Sequence, residues 1–425
     1  MNPATDGRSN LSVAEARRLI LETALAPAAA VRRTAVPLRD AAGHVLAESI
    51  YADRDGPPFD RAMMDGYAIA AADFAPQREW PLAGPTIFAG QLCETPVPAG
   101  HCQRIMTGAP LPPGADCVVP VENSEDSEDF GPDQNHVRFP GVSDPAQIWS
   151  GRFVAAQGSD HTAGDLLLPA GHRVQAGSAG LLAANGCATV TIRRPPLIAM
   201  LSTGDEIVSL TDTGPTLARQ QIRDSNYYAM AAALAPYRIA PPRSHIAGDD
   251  PAELAAGLEL LLNSSGNLPD AAESHGPPDA LILSGGVSMG DADHVPAALA
   301  RAGVERSFHR VDVKPGRPLW FGSRPGGPTA VFALPGNSIA CQVAFKLFIE
   351  PWLCASLGLP EPAVWKLPLA EGRRRHKGGR PEYFPAELVP DAESGGALRG
   401  RPQAIHSSGH IGATASADGF ALHPV

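Results

Sequence analysis

The sequence lacks the patterns that mark several common classes of protein. Its six cysteines include no Cys-x-x-Cys pair, and several lie inside apolar stretches, which favours small buried residues over a disulfide framework or a zinc site. The N-terminus has neither the basic start nor the apolar run of a signal peptide. No uninterrupted apolar stretch approaches the ~18 residues that a membrane span needs. We therefore expect a soluble cytoplasmic protein with reduced thiols and no membrane partner.

Charged residues are scarce, at 19% of the chain, so long disordered segments are not expected. The net charge of −11 repels nucleic-acid phosphates and argues against a nucleic-acid partner. Known catalytic patterns are also missing, because the chain has no Ser-His-Asp, Cys-His or His-Glu-x-x-His arrangement. It has neither a P-loop nor a Gly-x-Gly-x-x-Gly motif, so ATPase and dehydrogenase functions lose their main support.

Glycine and proline are abundant instead, with 43 of each among 425 residues, which indicates many turns and short strands. The length predicts two to four domains. From residue 53 to 149, Gly/Pro turns separate short apolar runs, which is typical of a β-rich block. From 196 to 354, apolar strands alternate with helices, which predicts a parallel sheet covered on both faces. Gly/Pro-rich sequence then returns and indicates a small β domain.

These patterns predict a multi-domain α/β plus β protein with a central doubly wound α/β domain and a parallel-rich sheet. The predicted domains are a discontinuous mixed α/β domain I (8–52 and 150–195), an inserted β-rich domain II (53–149), an α/β domain III (196–354) and a C-terminal β-barrel-like domain IV (355–425). A capping box, Ser12 to Glu15, predicts a helix over 14–25. Residues 36–50 are predicted to form a short connection and a second helical piece. Further helices are predicted at 179–184, 219–234, 252–262, 295–302 and 338–353.

Three predicted strands of the α/β segment run into glycine-containing turns, at 201–206, 284–290 and 334–338. Ligands of open α/β sheets bind at the carboxyl ends of strands, where glycine lets the backbone approach an oxyanion. One such turn more often only reverses the chain, but three in a single sheet favour a phosphate cradle. The candidate substrate-binding residues in these turns are Ser284, Gly285, Gly286, Ser288, Pro335, Gly336 and Asn337.

Acidic residues accompany the same turns, namely Asp205, Glu206, Asp224, Asp291 and Asp293. Carboxylates beside a phosphate repel it unless a divalent cation lies between them, and Mg²⁺ is the default cation for such oxygen ligands. The alternative is that these side chains cap helix N-termini, which Asp and Glu commonly do.

A basic segment over 309–318 supplies a candidate anion site. On a strand, Arg310, Asp312 and Lys314 would share one face, with Arg317 and Pro318 just past a Pro-Gly turn. The alternative is a solvated sheet edge. The more basic run over 373–377 has no turn or strand context, and we interpret it as a solvated face. The isolated His294, His309 and His410 are interpreted as structural.

Several motifs occur together in one order along nearly the whole chain. They are Arg61-Ala-Met-Met-Asp-Gly-Tyr-Ala68, Arg104-Ile-Met-Thr-Gly-Ala-Pro110, Ser202-Thr-Gly-Asp-Glu206, Ser284-Gly-Gly-Val-Ser-Met-Gly290, Lys314-Pro-Gly-Arg-Pro318 and Leu334-Pro-Gly-Asn337. Any one of these motifs is ambiguous, but the ordered set is highly specific. By these motifs the sequence resembles the molybdopterin molybdenumtransferases, the MoeA family, which also includes the E domains of plant and animal proteins such as gephyrin.

The resemblance implies four domains and a homodimer, with the active cleft formed between two protomers. It implies Mg²⁺-dependent insertion of molybdate into adenylylated molybdopterin with release of AMP, and a molybdopterin adenylyltransferase as the upstream partner. Domain III would then bind molybdopterin. By motif position, the implied catalytic residues are Asp65, Thr107, Glu206, Asp224, Asp293 and Lys314, of which Glu206, Asp224 and Asp293 would also hold the metal. The implied substrate-binding residues outside the glycine turns are Asp160, Arg310, Arg317, Pro318, Arg380 and Ser408, the last two for molybdate.

The sequence departs from the family pattern at several of these positions. Arg310 and Arg317 stand where the family often has lysine, which keeps the charge but changes its geometry. Ser338 replaces a proline, and Ala340 replaces a residue whose hydroxyl would reach molybdate. Two alternative functions follow, a pterin-binding scaffold that has lost catalysis and a nucleotide-recycling hydrolase of the competence-damage type. The β-rich insertion and the C-terminal domain argue against the second.

Overall fold

The structure, a computed structural model, describes residues 9–24, 32–126, 135–211, 217–263, 276–287, 294–325, 327, 329–373, 379–391 and 396–423. The contacts divide the chain into two compact units. The main unit comprises Met1–Glu48, Gly171–Ala176 and Thr189–Val425, and the inserted unit comprises Ser49–Ala170 and Gly177–Ala188. The four predicted domain boundaries stay a prediction, since this division is coarser than they are.

The strands of the described residues are β1 (Ser9–Leu11), β2 (Arg33–Pro37), β3 (Ile50–Tyr51), β4 (Arg61–Ala62), β5 (Gly66–Ile69), β6 (Trp80–Pro81), β7 (Gln103–Ile105), β8 (Cys117–Pro120), β9 (Glu125–Asp126), β10 (His136–Arg138), β11 (Val154–Ala155), β12 (Leu166–Leu168), β13 (Thr189–Arg193), β14 (Ile198–Thr203), β15 (Ile207–Val208), β16 (Ile222–Arg223), β17 (Arg243–Ala247), β18 (Ala280–Ser284), β19 (Glu305–Val311), β20 (Trp320–Ser323), β21 (Ala330–Leu334), β22 (Glu382–Pro390), β23 (Leu398–Pro402) and β24 (Gly419–His423). The α-helices are α1 (Val13–Ala24), α2 (Ala176–Ala184), α3 (Ser225–Leu234), α4 (Pro251–Asn263), α5 (Val295–Arg301), α6 (Ser338–Ala344) and α7 (Glu350–Leu357).

A seven-stranded mixed sheet organises the main unit, in the order β1-β19-β20-β21-β18-β14-β17. Only β20 runs antiparallel to its neighbours, β19 and β21. The central strands are buried on both faces, which is why their sequences are continuous apolar runs. Alternate residues of β14 lie in different cores, Ile198 and Met200 in one and Ala199 and Leu201 in the other. The sheet therefore separates two hydrophobic cores.

Helices line both cores. The first core contains residues of α1, α3, α6 and α7, and the second contains residues of α4 and α5. The predicted capping box opens α1, because Ser12 N–H donates to Glu15 Oε2 at 2.9 Å and Glu15 N–H donates to Ser12 Oγ at 3.2 Å. This helix and the helices predicted at 252–262 and 295–302 agree with α1, α4 and α5.

The helix predicted over 338–353 is one continuous 20-residue helix, Ser338–Leu357, in which a π-helical stretch, Phe345–Ile349, joins α6 to α7. Among the described helices it is the one long and apolar enough to cross a membrane. Lys346 and Glu350 interrupt its apolar sequence. Most of it is buried against α1 and the sheet, so its apolar character is that of a core helix.

Two helix predictions are wrong in part or whole. The segment 36–50 contains no α-helix, because its first residues belong to β2, which pairs with β13, and a short 3-10 turn follows at Leu38–Asp40. The helix predicted from 219 begins only at Ser225. There the Asp224 side chain caps α3 by accepting from Tyr227 N at 3.0 Å, and β16 precedes it.

The C-terminal part of the main unit is a three-stranded antiparallel sheet, β23-β22-β24. Its central strand begins beside the basic segment, since Tyr383 N–H donates to Lys314 O at 2.7 Å and Lys314 N–H donates to Pro381 O at 3.0 Å. The backbone of the C-terminal segment is thereby fixed to the carboxyl side of the large sheet.

The inserted unit is built from short antiparallel strands, as its Gly/Pro-rich sequence predicts. Its three-stranded sheets have the orders β7-β5-β8 and β6-β10-β9. Tyr67, Trp80 and Phe139 pack together in its larger core, with the Tyr67 and Phe139 rings meeting edge to face at 5.6 Å.

Candidate active site

Two neighbouring cavities of about 450 Å³ each lie in the main unit at the carboxyl ends of β14, β18 and β21. Both are lined by Gly286, Gly336 and Asn337, so the glycine turns form the wall that they share. We call the cavity that contains Lys314 the cationic cavity and the one that contains Glu206 the acidic cavity. Their position matches the sequence prediction that ligands approach the ends of these strands.

Glycine is required in the shared wall, at Gly286, and beside it in the acidic cavity, at Gly285. Gly285 and Gly286 have φ values of +105° and +65°, which side chains rarely adopt. A Cβ on Gly285 would lie 2.6 Å from Thr203 O, so the two strand ends could not approach as they do. A ligand at these turns therefore meets backbone rather than side chains.

The acidic cavity contains two of the predicted acidic site residues, Glu206 and Asp224, together with Ser284 and Gly285. Asp205 Oδ1 instead accepts from Asp249 N at 2.9 Å and so fixes a turn. Asp291, Asp293 and Ser288 lie outside the described residues. Within the described ranges, no group of three or more His, Cys, Asp and Glu side chains could hold a metal ion by itself.

Asp224 and Asn226 join the three strand ends that form the cavities. Ser202 Oγ, at the end of β14, donates to Asp224 Oδ2 at 2.5 Å. Asn226 Nδ2 donates to Ser284 Oγ, at the end of β18, at 2.7 Å and to Gly336 O, in the turn after β21, at 2.9 Å. Asp224 and Asn226 are both buried, so these bonds are shielded from water. Helix capping by Asp224, the alternative interpretation, is thus observed, yet it leaves this side chain in the cavity wall.

The cationic cavity contains Lys314, Arg317 and Arg380, together with Pro318, Pro335 and Ser408. Lys314 Nζ lies 3.6 Å from Glu382 Oε1, and Arg380 Nε lies 3.5 Å from Asp312 Oδ1. Arg317 Nη2 donates to Asn10 Oδ1 at 3.0 Å. Ala340, which replaces a hydroxyl-bearing residue of the family pattern, also lines this cavity.

Two interpretations of basic residues are wrong. Arg310 and Lys314 do not share a strand face, because β19 ends at Val311 and Arg310 has a left-handed φ of +75° that breaks the alternation. Arg310 is not among the described residues of either cavity wall.

The second wrong interpretation concerns Arg373, which is not solvated. Its side chain is 14% exposed, lies 3.5 Å from Glu382 Oε1 and covers the Phe384 ring. Residues 374–377 lie outside the described residues.

Asp65 and Thr107 of the inserted unit form a close pair. The Thr107 hydroxyl and backbone N–H both donate to Asp65 Oδ1, at 2.6 and 2.7 Å. These two bonds lower the pKa of the Asp65 carboxyl, and the bond from the hydroxyl has the larger effect. The carboxylate is therefore ionised at neutral pH, and the residue that bears it is exposed. Asp160, also exposed, lies in the same unit.

Sequence reasoning missed two amides, Asn226 and Asn10. Each hydrogen-bonds to residues far away in the sequence, so no local spacing marks it. Asn226 does follow Asp224 by two residues at a helix start, a position from which a polar side chain can reach neighbouring strand ends. Asn10 carries no comparable signal.

Two family models match the chain, "MoeA N-terminal region (domain I and II)" over residues 11–186 and "Probable molybdopterin binding domain" over residues 199–355. A molybdopterin molybdenumtransferase of Synechococcus elongatus is 34% identical over 85% of this chain and 83% of its own length. Molybdopterin molybdenumtransferase 2 of Mycobacterium tuberculosis is 33% identical over 96% of this chain and 94% of its own. The solved molybdopterin biosynthesis MoeA protein of Pyrococcus horikoshii covers 98% of this chain and 95% of its own, with a TM-score of 0.73 and 28% identity.

These similarities extend over both units, and the matched ranges include every described residue of the cavities except those of the C-terminal segment. The motifs, the fold and the two comparisons by sequence and by structure agree with one another. The chain belongs to the molybdopterin molybdenumtransferase (MoeA) family, whose members take part in molybdenum cofactor biosynthesis.

Proposed function

We propose that this protein is a molybdopterin molybdenumtransferase that inserts molybdate into adenylylated molybdopterin and releases AMP. The observation that carries the proposal is the direct contact of a cationic and an acidic cavity through a wall of glycine turns. Adenylylated molybdopterin contains a phosphoanhydride, and molybdate is a dianion. The reaction therefore needs one region that accommodates phosphates and another that concentrates positive charge.

The residues of the acidic cavity fit a magnesium ion. Mg²⁺ is usually held by one or two carboxylates, with substrate phosphates and water completing its coordination. Glu206 is exposed at this cavity, and each Asp224 oxygen accepts one hydrogen bond and keeps a second lone pair. When bound, the ion would offset the charge that develops as the anhydride breaks. We propose Glu206, Asp224 and Asp293 as its ligands.

Residues of the chain itself would bind the phosphates, the molybdate and the rest of the substrate. The turns at Ser284–Gly286 and Pro335–Asn337 present backbone to the phosphates, and Asp224 and Asn226 keep these turns together. Lys314, Arg317, Arg380 and Ser408 bind molybdate in the cationic cavity, with Pro318 in its wall. Asp65, Thr107, Asp160 and Arg310 contact the substrate by analogy with the family motifs, and they belong to the proposal on that ground.

The same resemblance supports the wider assignments. We propose a homodimer, in which a partner copy completes the cleft, a cytoplasmic location, and a molybdopterin adenylyltransferase as the upstream partner. The four domains with the boundaries predicted above belong to this proposal as well.

AMP release tests the proposal. Purified full-length protein receives adenylylated molybdopterin, Mg²⁺ and molybdate, and AMP is quantified against reactions without Mg²⁺ or without molybdate. We expect AMP release that needs both ions and that falls at least tenfold in Arg317→Ala, because a cation of the molybdate pocket is lost. The matched control is Arg306→Ala, an exposed arginine on β19. Absence of AMP release under every condition would refute the transferase function.

A pterin-binding scaffold without catalysis is the second candidate, and Ala340 is the observation that favours it. This residue is 2% exposed and lines the cationic cavity without offering a hydroxyl. If the missing hydroxyl abolishes turnover, the parent binds adenylylated molybdopterin but releases no AMP, and Ala340→Ser restores release. AMP release by the parent itself would eliminate this candidate.

A further inference from the structure

The edge strand β1 reaches the cationic cavity through one side chain. It pairs in parallel with β19, with Ser9 opposite His309 and Leu11 opposite Val311, and Asp312 N–H donates to Leu11 O at 2.8 Å. Asn10 lies between these two pairs, and its Oδ1 accepts from Arg317 Nη2 at 3.0 Å. A residue more than three hundred positions away in sequence thus holds a cation of the cavity.

The backbone at this point is unusual on both strands. Asn10 has a φ of +57°, and Arg310, at the corresponding level of β19, has a φ of +75°. Asparagine tolerates the left-handed conformation better than most residues, whereas other side chains are strained there. Such backbone conformations persist where the surrounding structure imposes them, and they often accompany functional sites. Here the left-handed turn interrupts the alternation of β1 at the residue that contacts Arg317.

The partner of Arg317 differs in charge from the partners of the other two cations. Lys314 lies near Glu382, a carboxylate that it shares with Arg373, and Arg380 lies near Asp312, so each has a carboxylate partner. Within the described ion pairs, Arg317 has no carboxylate partner, and the group that holds it is a neutral amide. Its Nε is buried without a hydrogen-bond partner in the described structure. Asn10 therefore fixes the guanidinium without reducing its charge.

We propose that Asn10 is a positioning residue for oxyanion binding, which orients the planar guanidinium of Arg317 towards a tetrahedral dianion of the molybdate type. The inference rests on the proposed function, because that function places molybdate in this cavity. A guanidinium recognises an oxyanion through fixed, parallel N–H groups, so its orientation matters more than that of a lysine ammonium. Arginine at position 317 therefore needs a partner that fixes its orientation, whereas lysine at the same position would not.

The substitution Asn10→Gly tests the role of the side-chain amide without changing the backbone conformation. Glycine adopts the same positive φ without strain, so the strand is retained while the hydrogen bond is lost. We expect calorimetric titration of the full-length protein with sodium molybdate to show binding roughly three- to tenfold weaker, the range for the loss of one ordinary hydrogen bond. Asn10→Asp also weakens binding, since it holds Arg317 but neutralises it. Ser9→Gly, on the same strand, is the matched control and leaves the affinity unchanged.

A double-mutant cycle shows whether Asn10 acts through Arg317. In an Arg317→Lys background, Asn10→Gly should change molybdate affinity less than twofold, because the group that needs orientation is gone. In turnover, Asn10→Gly should raise the KM for molybdate and leave kcat and the KM for adenylylated molybdopterin unchanged. A purely structural role of Asn10 would lower the Tm and change all three kinetic constants together.

Three results would overturn the inference: unchanged molybdate affinity in Asn10→Gly, the same loss in the Arg317→Lys background, or no molybdate binding by the parent up to millimolar concentration. The proposed function fails separately. A parent that binds molybdate, responds to Asn10→Gly and releases no AMP disproves the transferase but supports the positioning role. If the parent releases AMP and Asn10→Gly has the same molybdate affinity as the parent, the transferase function is supported and the positioning role is disproved.

Discussion

Asn226 shows how much of the site geometry depends on a single side chain. Both hydrogens of its amide are used, one by the strand end at Ser284 and the other by the turn at Gly336. Gly336 belongs to the wall that the cationic and acidic cavities share, and Ser284 lines the acidic cavity beside it. Because the bond to Ser284 is buried and the bond to Gly336 partly buried, their loss would leave polar groups without partners as well as loosen the turns.

We predict that Asn226→Ala raises the KM for adenylylated molybdopterin about tenfold and changes the KM for molybdate much less. The physical reason is that the phosphate-binding turns lose a buried link worth about 1–2 kcal/mol, whereas the cations are held by other groups. Steady-state AMP release measures both constants. Asn185→Ala, which removes another buried amide from the inserted unit, serves as control. Equal changes in both variants would show a general loss of stability instead.

The Asp65 and Thr107 pair gives a second prediction, on pH. Its hydrogen bonds lower the folded-state pKa of Asp65 below the unfolded value of about 3.9. The stability that the ionised carboxylate contributes is therefore present above pH ~4 and is lost as the pH falls through the lowered folded pKa. We expect parent and Asp65→Asn to differ in the free energy of unfolding at pH 6 and to converge towards pH 2. Urea unfolding at several pH values measures this, and a difference that grows on acidification would contradict it.

At the scale of elements, the helix Ser338–Leu357 connects the cavities to the core. It begins directly after the Gly336–Asn337 turn and contains the buried Glu350, which is 5% exposed. Glu350 Oε1 accepts from the Tyr237 hydroxyl at 2.7 Å and from Lys346 Nζ at 2.7 Å. Burial raises the pKa of Tyr237, so the phenol stays protonated and donates throughout the working pH range.

We predict that Tyr237→Phe lowers the free energy of unfolding by about 1–2 kcal/mol, because Glu350 loses one of two partners while it remains buried. Thermal unfolding followed by circular dichroism measures the change. Tyr228→Phe, which removes a hydroxyl from an exposed tyrosine, should leave the Tm unchanged. An unchanged Tm in Tyr237→Phe would show that water replaces the lost donor.

The elements that could be predicted from sequence are those whose own residues determine them. Continuous apolar runs predicted β14, β18 and β21, and the capping box predicted α1. The wrong predictions depended on partners elsewhere in the chain. Residues 33–37 form a strand because they pair with β13, and 222–223 because they pair with β15. The strand alternation assumed for Arg310 failed because of its left-handed backbone.

The candidate site likewise contains residues that could be predicted from the sequence and residues that could not. Glycines, acids and cations are chemically distinctive, so their positions at strand ends could be recognised before the fold was known. Asn10 and Asn226 became visible only through contacts that join distant segments of the chain. Arg373 was misinterpreted for the same reason, since Glu382 and Phe384 cover it from another element.

At the scale of the whole molecule, an acidic chain encloses a cationic cavity. The net charge of −11 repels small anions at long range, while three basic side chains concentrate positive charge in one place. Anion binding therefore depends on the local arrangement of these cations and not on the overall field. Rearrangement of a single cation, such as Arg317, is expected to matter accordingly.

The proposed homodimer is a prediction at this scale. We expect light scattering coupled to gel filtration to give about twice the 44.3 kDa of one chain at micromolar concentration. We expect Asp65→Asn, like Arg317→Ala, to release AMP at a reduced rate. Mixing the two variants should then raise AMP release above that of either variant alone, because a cleft shared between copies can combine intact residues from each. A monomeric mass, or no restoration on mixing, would contradict the shared cleft.

The left-handed turn at Asn10 also constrains how the sequence can diverge. Glycine, asparagine and aspartate accept that backbone readily, and asparagine alone among them joins it to a neutral acceptor. Position 10 should therefore covary with position 317 among relatives. Asparagine should be retained in lineages that have arginine at 317, and other residues should appear once 317 becomes lysine. Natural variation would then record the same coupling that a double-mutant cycle measures.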